Sequence, residues 1–233
     1  MQLYVGTSGF SYRKWKPSFY PRTLKPAEFL GFYAERFATV EINQSFRRLP
    51  AADAIAGWIE QTPASFRFAL KAPQTITHRK RLVGVDAELK EFVATAKLLK
   101  GRAGPLLFQL PPNFKQDLGR LAAFLKLLPK RTRAAIEFRH ASWLADDTYA
   151  LLRKHRVALC TADAEDLPAT PLTPTTDWGY LRLRRENYSP AALRKWLARI
   201  REQPWNDVFV YFKHEDTGTG PKFGARLMKL AAK

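Results

Sequence analysis

Short apolar runs recur along the chain, each bounded by polar or turn-forming residues. Their length of four to six residues and their content of Val, Ile, Leu and Phe are typical of parallel strands buried on both faces. The pattern predicts eight strands: Leu3–Gly6, Thr39–Asn43, Phe66–Lys71, Leu106–Leu110, Ala134–Arg139, Val157–Ala162, Gly179–Leu183 and Val208–Phe212.

Most segments between these strands carry apolar residues at helical spacing. Asp86, Asp117 and Ser189 each precede such a stripe and are expected to be N-caps. Gly101 is expected to end the helix that follows Asp86, and Pro221 to start the last helix. The stripes are Phe29/Tyr33/Phe37, Ile55/Trp58/Ile59, Leu89/Phe92/Val93/Ala96/Leu99, Leu118/Leu121/Leu125/Leu128 and Leu193/Trp196/Leu197/Ile200.

The alternation of eight strands with about seven helices predicts a single (β/α)₈ TIM-type barrel over residues 1–233. The sixth helix is expected to be short or replaced by a proline-rich loop, because Ala164–Thr176 contains three prolines. An open, doubly wound sheet is disfavoured because no G-x-G-x-x-G follows the first strand. GTSG at 6–9 narrowly misses the G-x-S-x-G nucleophile elbow, which leaves Ser8 a minor nucleophile candidate.

Polar side chains collect at the carboxyl ends of strands two to eight. In a barrel this end carries the active site, and the long connections after strands one, three and six lie on the same face. Alternation along the fifth strand places Glu137 and Arg139 inside the barrel and His140 on the other face. We therefore expect a ring of polar groups at the barrel mouth: Glu41, Asn43, Lys71, Gln109, Glu137, Arg139, Asp163, Arg182 and Lys213.

This ring has two interpretations. Its three acids and four bases nearly balance, so they could form a salt-bridge network with no binding role. The functional interpretation is a site whose cations bind an anion while a carboxylate transfers protons. It assigns Glu41, Glu137, Lys71 and His78 as catalytic groups. The anion and substrate contacts are then Arg139, Arg182, Lys213, Gln109, Asn43, Asp163, Tyr12 and Trp15.

Two loops contribute to this assignment. The segment GFSYRKWKPSFYP at 9–21 is dense in aromatic residues, so Tyr12 and Trp15 are expected either to wall the site or to pack over the barrel. The segment ITHRKRL at 76–82 places His78 beside three cations, which could bind phosphate or form a solvated charge run.

No metal is assigned, and the cofactor is left unknown. Glu41, Glu137 and Asp163 could hold a divalent cation together with His140 or His214, but the chain has no H-x-H or H-E-x-x-H spacing. A further alternative is that Lys71 forms a Schiff base with a carbonyl substrate.

Composition narrows the class of partner. The net charge of +18, from 39 basic and 21 acidic residues, favours nucleic acid or another polyanion, unless it is spread over a solvated surface. There is no membrane-length apolar stretch, no signal-peptide pattern at the N-terminus, and Cys160 is the single cysteine. These features predict a cytoplasmic protein with no membrane partner.

Several ordered motifs carry a family resemblance: GTSGFSYRKWK, TVEIN, SFRFALKAP, GPLLFQLPP and IEFRHASW. The chain resembles the YecE-like family, also called domain of unknown function 72, over nearly its whole length. The resemblance implies a TIM-type barrel and implies no particular activity. The chain departs from the family pattern at Arg184-Arg185 after strand seven and at Lys213-His214 after strand eight, which implies a more basic site on that side.

Together these observations predict a hydrolase-like enzyme that acts on an anionic, phosphate-bearing substrate at the C-terminal face of the barrel. A small anionic molecule and nucleic acid are both included as substrates. The alternative is a non-catalytic nucleic-acid- or RNA-associated protein that binds through its basic surface.

Overall fold

The computed structural model describes residues 1–213 and 218–232, and within them eight strands alternate with seven α-helices. The strands are β1 (Gln2–Thr7), β2 (Thr39–Ile42), β3 (Arg67–Lys71), β4 (Ala103–Gln109), β5 (Ala134–Glu137), β6 (Ala158–Asp163), β7 (Trp178–Leu183) and β8 (Asp207–Phe212). The helices are α1 (Phe29–Ala34), α2 (Ala52–Glu60), α3 (Asp86–Lys97), α4 (Leu118–Leu127), α5 (Asp146–His155), α6 (Pro190–Arg201) and α7 (Thr219–Ala231).

The strands pair in parallel in the order β1-β8-β7-β6-β5-β4-β3-β2, which confirms the predicted (β/α)₈ barrel. A cluster of buried side chains from β1 and β3–β8 fills the interior, including Ala69, Cys160, Tyr180 and Tyr211. Larger apolar clusters lie between the strands and the helices, as expected for strands that are buried on both faces.

The barrel closes between β1 and β2 with little direct pairing. A parallel bridge joins Ser8 to Glu41. Below it, the buried Tyr33 hydroxyl accepts a hydrogen bond from the Thr7 N–H at 2.8 Å and donates one to the Thr39 carbonyl at 3.0 Å. A side chain from α1 therefore replaces the missing ladder bonds. Gly6 permits this close approach, because a Cβ there would overlap the Thr39 carbonyl oxygen.

Tyr33→Phe is expected to lower the free energy of unfolding by about 1–3 kcal/mol, because it leaves a buried N–H and a buried carbonyl unsatisfied. Tyr4→Phe is the matched control, since the Tyr4 ring packs inside the same barrel and its hydroxyl forms no described hydrogen bond. Urea denaturation of both variants measures the difference. Equal stabilities of the two variants would contradict the closing role of Tyr33.

The helix boundaries were only partly predicted. Asp117 and Ser189 are N-caps as expected, and each accepts a hydrogen bond from the first turn of its helix. Asp86 instead occupies the first helical position after the cap residue Val85, where a carboxylate still interacts favourably with the helix dipole. The same helix ends at Lys97, before the predicted stop at Gly101.

Three further helix predictions can be compared with the structure in the C-terminal half of the chain. The last helix begins two residues before Pro221. Helix α5 forms in the connection between β5 and β6, for which the sequence predicted no apolar stripe. No helix forms in Ala164–Thr176, as its prolines predicted, and Thr175 instead ties this segment to the start of β6 through the Leu159 N–H at 2.8 Å. Among the described residues, no helix is both long and apolar enough to cross a membrane.

Candidate functional site

A cleft of about 930 Å³ opens at the carboxyl ends of the strands. Its wall includes residues from the ends of β2, β3, β4, β5 and β7 and from the loop after β1. Among the lining residues that the structure describes, none is an Asp or a Glu, whereas five are Lys or Arg. These five are Arg47, Lys71, Arg139, Arg182 and Arg184.

Two carboxylates lie beneath the cleft and are joined by one arginine. Glu41 and Glu137 are fully buried, and Arg182 is 1% exposed. The Arg182 Nη2 donates to Glu41 Oε1 at 2.9 Å, and its Nη1 donates to Glu137 Oε2 at 2.6 Å. Because β2, β5 and β7 contribute these residues, the guanidinium links strands that are not neighbours in the barrel.

The remaining carboxylate oxygens are also occupied. Ser8 and Tyr180 donate to Glu41 at 2.8 and 2.7 Å, and the Arg139 Nε donates to Glu137 Oε1 at 2.7 Å. Each oxygen of both carboxylates therefore accepts at least one hydrogen bond. This part of the predicted ring forms the self-contained salt-bridge network that was one of its two interpretations.

The ionisation of both carboxylates follows from this arrangement. Burial favours the neutral acids, but Arg182 and the donated hydrogen bonds outweigh it and hold the pKa of Glu41 below its usual value. For Glu137, Arg182 and Arg139 outweigh burial and lower the pKa to about 2. Buried, ionised groups that do not line the cleft are poorly placed to exchange protons with a substrate. The structure therefore argues against the acid–base role predicted for Glu41 and Glu137.

A pH prediction follows for Glu137. Its folded-state pKa is depressed, so its contribution to stability is present above the ordinary glutamate pKa of about 4.3 and is lost as the pH falls towards about 2. Wild type is expected to lose stability steeply over that interval. Glu137→Gln should be less stable at neutral pH and should show a shallower acid dependence in urea denaturation. Parallel pH profiles for the two proteins would show that Glu137 is not stabilised as a carboxylate.

Lys71 reaches the cleft without a carboxylate partner. Its Nζ donates to Gln109 Oε1 at 2.7 Å and lies 4.2 Å from the centre of the Phe46 ring. Among the described residues, no carboxylate oxygen lies within ion-pair distance of this amine. Burial, together with the nearby Arg182, lowers the pKa of Lys71 to about 8.

His78 lies beside Lys71 in the wall. A π-helical turn at Thr75–Arg79 carries it, and such turns often place functional side chains. Its Nδ1 is 2.8 Å from the Thr77 hydroxyl, and its ring packs edge-on against Phe46. Burial and the charge of Lys71 lower the pKa of His78 to about 4, so the ring is neutral at pH 7.

Three polar atoms at the cleft are buried without a hydrogen-bond partner in the described part of the chain. They are Asn43 Oδ1, Arg182 Nε and Arg184 Nη1. Burial and the neighbouring Arg182 lower the pKa of Arg184 to about 10, which leaves it charged at neutral pH. Among the described residues, the five cations that line the cleft therefore outnumber the two carboxylates beneath it. Such unpaired donors in a positively charged cleft suit an anionic ligand.

The predicted aromatic wall is divided between the cleft and the core. Tyr12 lines the cleft, and its hydroxyl donates to the Ser8 carbonyl at 3.0 Å. Burial and Glu41 raise the pKa of Tyr12 to about 12. Trp15 is fully buried behind Tyr12, with the two ring centres 4.9 Å apart. Trp15 thus packs over the barrel, which was the alternative interpretation of this loop.

Asp163 lies away from the cleft. Ala158 and Cys160 on β6 point into the barrel, so Asp163 has the opposite orientation and the expectation that it faces inward is wrong. Its carboxylate instead binds Arg185 at 2.6 Å and Tyr188 at 2.9 Å. The structure therefore does not bring the suggested metal ligands Glu41, Glu137 and Asp163 together.

Of the remaining predicted residues, some line the cleft and others do not. Asn43 and Gln109 line the cleft, whereas Lys213 is not among its lining residues. His140 caps the turn Ala141–Trp143, as expected for a side chain on the outer face. His214 lies outside the described residues. In the part of the chain that the structure describes, no three Asp, Glu, His or Cys side chains cluster in a metal-binding arrangement.

Arg184, Tyr180 and Ser8 were not among the site residues predicted from the sequence. Strand alternation contained the signal for two of them, because Tyr180 and Arg184 have the same parity as Arg182 on β7. Ser8 was considered only as a nucleophile, whereas its hydroxyl donates to Glu41. Arg184 is one of the two residues after strand seven at which the chain differs from the family pattern.

Comparison with protein families gives one match over nearly the whole chain. The family model described as "Protein of unknown function DUF72" covers residues 4–233. The UPF0759 protein YunF of Bacillus subtilis is 28% identical over an alignment that covers 98% of this chain and 94% of YunF. The UPF0759 protein YecE of Escherichia coli is 33% identical over 144 residues, which are 61% of this chain and half of the length of YecE.

Solved structures extend the comparison to the fold. A DUF72 family protein from Thermotoga maritima is 27% identical, with a TM-score of 0.86 and full coverage of both chains. A DUF72 family protein from Enterococcus faecalis has a TM-score of 0.84 at 16% identity, covering 100% of this chain and 96% of that one. These likenesses support the barrel assignment.

Proposed function

The chain belongs to the DUF72 family of proteins of unknown function, and from its own cleft we propose that it is an enzyme acting on an anionic, phosphate-bearing substrate. The observation that carries this proposal is the set of buried, unpartnered donors on Arg182 and Arg184 in a cleft that is lined by no carboxylate from residues 1–213 or 218–232. A bound phosphate would supply the missing acceptors.

The two buried carboxylates support anion binding indirectly. Glu41 and Glu137 hold both Nη atoms of Arg182, which leaves its Nε for a ligand. A guanidinium fixed in this way needs no reorganisation when the anion arrives, which is the condition for effective electrostatic stabilisation. In this proposal Glu41 and Glu137 are positioning residues, while Arg139, Arg182 and Arg184 contact the anion.

Hydrolysis of a phosphate ester is the proposed reaction class, with His78 as the proton acceptor for the attacking water. His78 lines the cleft and is neutral at pH 7, whereas the carboxylates are ionised but withdrawn. Cations on the departing and transferred oxygens would stabilise the charge that develops in such a transition state.

Binding and turnover test the two parts of this proposal separately. Inorganic phosphate is titrated in a calorimeter, and hydrolysis of p-nitrophenyl phosphate and bis-p-nitrophenyl phosphate is followed by absorbance. His78→Gln should lower kcat by about 10²–10⁴ and leave the affinity for phosphate unchanged. Phosphate binding without turnover of either ester would reject the hydrolase assignment. Absence of phosphate binding would reject the anion site itself.

A nucleic-acid-binding role is the second candidate, favoured by the net charge of +18 and by the exposed cations Arg79 and Lys80 beside His78. This role predicts binding of a labelled single-stranded oligonucleotide whose affinity falls steeply with salt. It also predicts that binding persists in saturating phosphate and in Glu41→Gln and Glu137→Gln. Displacement of the oligonucleotide by phosphate would instead place its backbone in the cleft.

A further inference from the structure

We propose that Lys71 is a nucleophile that forms a Schiff base with a carbonyl group of the substrate. The inference rests on the proposed function, in which the cleft binds the phosphate group of the substrate. It adds that the same substrate molecule carries an aldehyde or ketone. The substrate class is therefore a phosphorylated carbonyl compound. The cleft volume of about 930 Å³ leaves room for more than a phosphate group.

The position of Lys71 meets the first requirement of such a nucleophile. It ends β3 at the floor of the barrel mouth, and it is the one lysine among the described residues that line the cleft. A strand end is a rigid support, and the hydrogen bond to Gln109 and the contact with the Phe46 ring orient the amine.

The surroundings of Lys71 also disfavour its ammonium form. Buried lysines are usually paired with carboxylates, yet Arg182 and Arg139 occupy the two carboxylates beneath the cleft. Burial and the charge of Arg182 act in the same direction and bring the pKa of Lys71 to about 8. Roughly a tenth of the amine is then neutral at pH 7, and most of it at pH 9. Neighbouring cations and burial are the usual means of activating an amine nucleophile.

The proposed step balances without an added cofactor. The neutral Nζ attacks the carbonyl carbon, forming a C–N bond, and the carbonyl π electrons move to oxygen, which takes up the proton that the nitrogen releases, to give a carbinolamine. The C–O bond then breaks, and the oxygen leaves as water with one further proton from solvent. The product is an iminium on Lys71, which a nearby anion such as the substrate phosphate would stabilise.

Reductive trapping tests the proposal directly. The protein is incubated with glyceraldehyde 3-phosphate and sodium borohydride, and its peptides are mapped by mass spectrometry. The reduced adduct adds the mass of the aldehyde less one oxygen atom. Labelling at Lys71 is expected to exceed that at any other lysine by at least about tenfold, to increase between pH 7 and pH 9, and to fall when inorganic phosphate is added. Glyceraldehyde, which lacks the phosphate, should label Lys71 much less.

Lys71→Arg separates this proposal from the anion site. The variant keeps a cation but has no amine, so it should bind inorganic phosphate and give no adduct in this peptide. Phosphate binding by wild type without preferential labelling of Lys71 would overturn the Schiff base and leave the proposed function intact. Absence of phosphate binding by wild type would overturn both the Schiff base and the proposed function. A thermal melt confirms that Lys71→Arg is folded, and Lys71→Met serves as a second amine-free variant.

Discussion

Replacing Arg182 with methionine is expected to lower the free energy of unfolding by about 3–5 kcal/mol, the usual effect of removing one partner from a buried ion pair. The guanidinium is the only ion-pair partner of Glu41 among the described residues and the second partner of Glu137. Its removal leaves two buried carboxylates close together with too little compensating charge. Urea denaturation at neutral pH measures the change.

Arg185→Met is the matched control for Arg182→Met. Arg185 follows the same strand and pairs with Asp163, but its side chain is 48% exposed. Such surface pairs contribute about 0–1 kcal/mol. In Arg182→Met, acidification should restore part of the lost stability relative to wild type, because Glu41 and Glu137 can then be neutral. Adding Glu41→Gln and Glu137→Gln should have a similar effect. A change in Arg182→Met no larger than that of the control would contradict the ion-pair account.

Replacing Arg184 with methionine is expected to weaken phosphate binding by about 10–100-fold, which corresponds to the loss of one charged hydrogen bond. The same variant should unfold at an equal or higher urea concentration than wild type. Arg184 is largely buried, lies near Arg182 and has a donor without an acceptor, so its charge opposes folding. A methionine retains the apolar part of the side chain and removes this cost.

The control for this variant removes the same charge elsewhere. Arg194 is exposed on α6, on the outside of the barrel, and is not a lining residue. Arg194→Met should leave phosphate affinity within about twofold of wild type, because a distant surface charge is largely screened at physiological salt. An equal loss of affinity in both variants would mean that phosphate affinity depends on the net charge of the protein and not on a contact with Arg184. Loss of stability in Arg184→Met would show that Arg184 is a structural residue.

The barrel could be predicted because its signals are local. Buried parallel strands have continuous apolar runs, and residues such as Ser189 and Asp117 mark helix starts through bonds to their own first turn. The prolines of Ala164–Thr176 similarly excluded a helix between β6 and β7. The end of α3 was predicted at Gly101 but lies at Lys97. Gly101 occurs in the next turn, and a glycine in such a turn looks the same in the sequence as one that ends a helix.

For the site, the sequence predicted which residues lie at the strand ends but not how their charges pair. Alternation correctly placed Lys71, Gln109 and Arg139 at the cleft, but it could not assign partners among four cations and three carboxylates. That choice depends on distances across the closed barrel, where Arg182 reaches both Glu41 and Glu137. The pairing determines which groups remain available to a ligand, so the sequence alone favoured catalytic carboxylates that the fold holds beneath the cleft.

The most direct test of the anion site is a crystal structure obtained with tungstate, a phosphate analogue whose anomalous signal identifies it. We expect a tungstate in the cleft, within hydrogen-bond distance of Arg184 Nη1 and Arg182 Nε. The signal at this position should disappear in Arg184→Met crystals grown in the same way. Tungstate found only on the outer surface of the protein, with water filling the cleft, would contradict the proposed function.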